Sequence, residues 1–266
     1  MKAEPGKTVY SSGAMTRGTA SLDELRTLFL AWQPGEPAVS FARRVQAEGI
    51  LTKNTAARLK DVLLKVFRPW FLEPDERPAR QLKALVETSG ERQLFSELVF
   101  LYKCRAEQVL YDFTQQTYWA AAQEGALYLR TQEIEDFLHE AQAAGKAAKS
   151  WSPATLERMS KGMLNALLMA GLLQETKHHQ YDIPNFRPQN FTMAYLAYDL
   201  HLAGLTDSAL VEHPDWKLFG LGRAQVLERL GALGEKAGLI VQQAGSVVRI
   251  TWLYASMEEM IRAYYA

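Results

Sequence analysis

Basic residues stand in two groups at spacings that suit contact with a phosphate backbone. The first group, Arg43, Arg44, Lys53, Arg58, Lys60, Lys65 and Arg68, lies between residues 37 and 72. There a short helical stretch closed by Gly49 precedes a second one with an apolar stripe at Leu59, Val62, Leu63, Val66, Phe67 and Trp70, the outline of a helix-turn-helix. Asn54, Asp61, Lys65 and Arg68 fall opposite that stripe, with Arg58 and Lys60 flanking it, Lys53 at its start and Arg43-Arg44 on the preceding helix. The second group, Lys149, Arg158, Lys161 and Lys177, surrounds a helix opened by Ser152-Pro153, a capping hydroxyl followed by proline at the first helical position. Arg158, Lys161 and Asn165 share one face of that helix, and Lys177 belongs to the hairpin after it. Lys, Arg and hydroxyl groups at a helix start are the groups that clamp a DNA backbone. Amphipathic helices need polar outer faces in any case, so spacing alone leaves a plain solvated surface as the alternative.

No residues combine into a catalytic set. His178-His179 are adjacent, so on a strand they face opposite ways, and no further ligands stand at metal-binding spacing. Gly220-Leu221-Gly222 lacks the preceding strand and third glycine of a dinucleotide site. Walker A loops and nucleophile elbows are absent from the sequence, and Glu133, Asp136 and Glu140 read as a solvated helix face. The single cysteine, Cys104, sits among apolar residues and reads as a buried, inert thiol. The expectation is a non-enzymatic protein with no cofactor and no metal.

The formal net charge of zero hides a segregation. Residues 1–72 carry +5, residues 73–145 carry −6, residues 146–190 carry +3 and residues 191–266 carry −2. A phosphate-binding face needs local positive potential, because salt screens each charge beyond about 10 Å. The sequence offers no apolar run near the ~20 residues that span a bilayer. The N-terminal stretch Met1-Lys2-Ala3-Glu4-Pro5-Gly6 lacks the apolar core of a secretory signal. A cytoplasmic protein with no membrane partner is expected.

The elements that position these cations are almost all helical, so the fold class expected is mainly α. Residues 1–145 read as an all-helical region, with helices over Ser21–Trp32, Pro37–Glu48, Asn54–Leu72, Ala79–Thr88, Arg92–Gln123 (one helix or two) and from Thr131. Gly145-Lys146-Ala147-Ala148-Lys149-Ser150 reads as a linker. Residues 146–266 read as two winged-helix-like helix-hairpin units, 146–190 and 191–266, packed as one body. Each carries the phrase Ala-Gly-Leu, at residues 170–172 and 237–239, in which glycine stops a helix and the following apolar residues open a hairpin.

Three stretches together resemble the BrxA family of bacterial BREX phage-defence systems. They are Tyr10-Ser11-Ser12-Gly13 through Leu22, with Ala47 to Arg58 and Phe67-Arg68; Trp151-Ser152-Pro153 through Leu173; and Ala244-Gly245 through Trp252. The motifs are caps, glycines and core residues, so they identify a family and not a site. The resemblance implies a small, mostly helical accessory protein with similarity to NusB-type folds, able to bind double-stranded DNA and acting beside other BREX proteins. The function expected is therefore a DNA-binding component that contacts duplex DNA mainly through its phosphates. The alternative is a protein-interaction adaptor that assembles other BREX components without binding DNA itself.

Overall fold

In the computed structural model the described residues are 9–13, 15, 20–51, 55–176, 181–245 and 247–266. The mainly helical character expected from the periodicity is what they show, with two small antiparallel sheets. Helix α1 (Leu22–Ala31) begins at Ser21, whose hydroxyl accepts from Glu24 N while Glu24 accepts from Ser21 N at 2.8 Å, a reciprocal cap that satisfies two otherwise orphaned donors. Helices α2 (Ala38–Ala47) and α3 (Ala56–Val62) follow, and α3 runs directly into a π-helical stretch, Leu63–Leu72. The sequence reading expected one α-helix from Asn54 to Leu72. Asn54 lies outside the described residues, and the second half is wound more widely. The wide winding coincides with Pro69, which has no N–H to donate and would clash with the preceding turn of an α-helix. Phe67 meets Phe29 and Phe41 here, with ring centroids 5.0 and 5.6 Å apart, so the stripe builds an aromatic core.

Helices α4 (Arg77–Thr88) and α5 (Arg92–Ala106) come next. The long run to Gln123 is not continuous. Glu107 leaves helical geometry at φ −118°, ψ 84°, after which α6 (Gln108–Phe113), a π turn (Thr114–Tyr118) and α7 (Trp119–Gln123) succeed one another. Strand β1 (Tyr128–Leu129), helices α8 (Thr131–Ala143) and α9 (Pro153–Ala170), and strands β2 (Gln174–Glu175) and β3 (Tyr181–Asp182) complete the first hairpin region. Its antiparallel sheet has the order β1-β3-β2, with Asp182 opposite both Tyr128 and Gln174. Strand β1 was not foreseen, because two residues carry no period.

Beyond it lie α10 (Asn190–Leu202), α11 (Asp207–Val211), α12 (Arg223–Leu233), the hairpin β4 (Leu239–Ala244) with β5 (Val247–Trp252), and α13 (Met257–Tyr265). Both Ala-Gly-Leu glycines are left-handed, Gly171 at φ 76° and Gly238 at φ 66°, which a side chain would strain. At Gly238 a Cβ would also run into the Tyr254 ring.

The chain divides into two compact units, residues 1–80 with 99–186 and residues 81–98 with 187–266. This differs from the expected division at 145, since residues 146–186 go with the first unit. The reason is local: the stretch read as a linker is pinned. Tyr10 N donates to Lys146 O at 2.7 Å, Ala148 N donates to Tyr10 O at 3.1 Å, and the Tyr10 hydroxyl donates to Asp112 at 2.6 Å. In the second unit the buried Glu97 carboxylate accepts from Gln189 N at 2.9 Å and Thr192 Oγ1 at 2.5 Å, capping the start of α10. Asp207 accepts from Ile250 N at 2.9 Å and ties the hairpin to α11.

Candidate nucleic-acid interface

Helix α9 carries two exposed cations of the second group, Arg158 and Lys161. Ser152 Oγ accepts from Thr155 N at 3.3 Å and Pro153 opens the helix, so the start is fixed by hydrogen bonding and a preset φ. Leu156, Met159, Met163 and Leu167 bury one face, and Gly162 lets the Met15 backbone lie against it. Glu157, Arg158, Lys161 and Asn165 are exposed on the other. Lys161 Nζ stands 2.6 Å from Glu157, whose carboxyl it holds below the usual carboxylate range. Arg158 Nε donates to Ala154 O at 2.9 Å.

The turn before α9 is braced on both sides. Trp151 N donates to Gln142 Oε1 at 2.6 Å, and Lys146 Nζ sits 5.7 Å from the Tyr10 ring centroid. Lys149, between these anchors, is exposed and has no ion-pair partner among the described residues. Lys177 lies outside the described residues, as does Lys53 of the first group.

The first group behaves differently. Arg44 is only 24% exposed and clamps Glu36 through two nitrogens, while donating to Ala31 O at 2.8 Å. Its guanidinium is fixed inside the fold. Arg58 pairs with Glu24 at 3.1 Å, Lys65 with Asp61, and Arg68 with Glu73 at 2.7 Å. Only Arg43 and Lys60 of this group lack a carboxylate partner among the described residues. Both line one groove of about 410 Å³ between α2 and α3.

One exposed cation was passed over in the sequence. Arg130 stacks on Tyr128, with the guanidinium 5.3 Å from the ring centroid and Nη2 donating to the hydroxyl at 3.1 Å. Tyr128 and Arg130 stand two residues apart, as same-face strand neighbours do, but the strand that ends between them is too short to be read from sequence. Among the described residues no group of three or more His, Cys, Asp or Glu is placed to hold a metal ion, and no helix is long and apolar enough to cross a membrane.

The family model described as BrxA matches residues 9–196. No curated protein matches the chain. Among solved structures, an uncharacterised protein from Magnetospirillum magneticum is similar, with 15% sequence identity, a TM-score of 0.59, and coverage of 82% of this chain and 98% of that one. That likeness concerns the fold.

Proposed function

Because the chain belongs to the BrxA family of BREX phage-defence systems, we propose that it serves that machinery as a non-enzymatic protein contacting duplex DNA through phosphates, with α9 as the docking helix. The observation carrying this reading is the arrangement of Lys149, Arg158 and Lys161 on and before the exposed face of α9. The order β1-α8-α9-β2-β3, with its antiparallel sheet of order β1-β3-β2, supports reading this region as winged-helix-like. In helix-turn-helix modules the second helix lies against the duplex while backbone contacts set its register.

Pairing supports the choice between the two basic groups. The Lys161–Glu157 pair is exposed on both sides, 66% and 62%. Such a solvent-exposed pair is weak, so a phosphate displaces the carboxylate readily. Arg44, held by Glu36 and a backbone carbonyl, offers no such exchange, and the pairs of Arg58, Lys65 and Arg68 are less exposed than that of Lys161, at 44%/19%, 40%/38% and 49%/47%.

The test is a salt titration of fluorescent duplex binding to the full chain, comparing wild type with K149A/R158A/K161A. Equal affinity and equal salt dependence in the two proteins would sink the assignment. The adaptor reading draws support from a different observation, the apolar groove between α2 and α3.

A further inference from the structure

The groove between α2 and α3 combines two features that do not belong to a phosphate-binding surface. Its lining is largely apolar, with Val39 and Ala42 from α2 facing Leu59 of α3 and Leu64 of the π-helical stretch. Val39 is 48% exposed, a large aliphatic side chain left in water. Its cations are Arg43 on one helix and Lys60 on the other, both exposed.

Charge bookkeeping within the segment singles these two out. Arg44, Arg58, Lys65 and Arg68 each meet a carboxylate, from Glu36, Glu24, Asp61 and Glu73 in turn. Arg43 and Lys60 meet none among the described residues, and they are the two that border the apolar lining. Covering that lining would move both cations toward a drier environment, which is unfavourable unless the covering surface supplies negative charge. A duplex backbone would supply the charge but leave the aliphatic wall facing phosphate. An acidic helix with an apolar stripe satisfies both demands at once, and two helices framing a groove form the surface on which such a helix lies.

We propose that this groove is a docking site for an acidic amphipathic helix of a partner protein. The apolar stripe would rest on Val39, Leu59 and Leu64, and carboxylates beside the stripe would pair with Arg43 and Lys60. The inference is independent of DNA contact through α9, since it uses neither those residues nor their charge.

Three labelled helical peptides of about five turns, ~18 residues, test it by fluorescence anisotropy against the full chain. One has a Leu stripe flanked by Glu, one the same stripe flanked by Lys, and one Glu flanks with the stripe replaced by Gln. The Glu-flanked Leu peptide is expected to bind, and the other two to bind at least about tenfold more weakly. R43E/K60E should reverse the preference toward the Lys-flanked peptide, and V39S should weaken the Glu-flanked one. Both charge reversals are at exposed positions; a circular dichroism melt checks the fold, and R43Q/K60Q, expected to weaken the Glu-flanked peptide alone, replaces them if the melt shifts. Equal binding of the three peptides, or a wild-type preference in R43E/K60E, would overturn the proposal. Loss of duplex DNA binding in R43E/K60E equal to that in K149A/R158A/K161A would also overturn it, by assigning the groove to DNA. So would a change in self-association seen by sedimentation, which would assign the groove to a second copy of the chain.

Discussion

Arg44 grips Glu36 with two parallel hydrogen bonds, Nε to Oε1 at 2.9 Å and Nη2 to Oε2 at 2.6 Å, while Nη2 also reaches Ala31 O. One arginine thereby joins the end of α1, the turn at Glu36 and helix α2. Its guanidinium also lies 5.4 Å from the Phe41 ring centroid. Arg44→Ala is expected to lower unfolding stability by about 1.5–3 kcal/mol, the range for hydrogen bonds to charged groups. Duplex affinity should be unchanged. The hydrogen bond from Arg44 holds the Glu36 carboxyl below its ordinary value of 4.5. A depressed carboxyl contributes stability above its unfolded pKa and loses it as pH falls through the folded one. The gap between wild type and R44A in denaturant midpoint should therefore be full near neutrality and close in acid; a gap that stays constant down to the acid transition would refute this.

For DNA, each phosphate left without its protein cation should remove about 0.9 from the slope of log K against log salt. K149A/R158A/K161A is expected to weaken binding evenly across duplex sequences and to flatten the slope by up to ~2.7. R58A, K65A and R68A remove cations that already have carboxylate partners, and should change the slope far less. A titration in which those three single variants match the triple variant would move the interface to α3 and the π-helical stretch after it.

Gly162 faces Met15 so closely that an added Cβ would stand 2.5 Å from the Met15 carbonyl oxygen. Alanine in an exposed helix gains about 1 kcal/mol over glycine. Here the contact is with backbone, which cannot swing aside as a side-chain end can. Gly162→Ala should destabilise the protein by about 1–3 kcal/mol, as overpacking does, and loosen the segment from Tyr10 to Met15. Hydrogen exchange at the Tyr10 and Ala148 amides reads this directly, because both bonds pin that segment. Unchanged protection with unchanged stability would count against it.

Glu107 and Lys103 are buried one helical turn apart beside Trp70, whose Nε1 donates to Glu107 Oε1 at 3.4 Å. Burial pushes Glu107 up to about 7 and Lys103 down to about 8. A carboxyl raised in the fold stabilises fully below its unfolded pKa, and that contribution is lost as pH rises toward the folded value. The stability of wild type relative to Glu107→Gln is thus expected to fall between about pH 4.5 and about 7. Lys103 acts in the opposite sense, its burial penalty fading as pH rises from about 8 toward its ordinary 10.5. Denaturant midpoints of the two proteins across that range give the difference, and a flat difference would be the contrary result.

Much of the architecture was legible without coordinates, for identifiable reasons. Ser21 and Ser152 announce helix starts because a hydroxyl three residues ahead of an amide is all a cap requires. Gly171 and Gly238 announce stops because the left-handed turn suits glycine. The stripe from Leu59 to Trp70 marks a buried face by its spacing, though the period did not reveal the π winding around Pro69. All of these are properties of a few consecutive residues. The family, too, is carried by such caps, glycines and core positions along the chain.

The candidate site was legible only as an inventory of cations. Sequence placed Arg44 and Lys149 in the same class, and the local spacing offers Arg44 no more than an i, i+4 contact of 3.5 Å to Glu48. Their difference arises from groups brought in by folding: Glu36 and the Ala31 carbonyl close on Arg44, whereas Lys149 stands clear between the Tyr10 and Trp151 anchors. Strand β1 likewise exists because β3 arrives from beyond two intervening helices to pair with it. By itself the sequence determined the helices, their stops and the family, since local hydrogen bonding and hydrophobic period act over neighbouring residues. Only the tertiary structure decided which positive charges remain available and where an apolar groove opens beside two of them, because neutralisation and burial depend on partners distant along the chain.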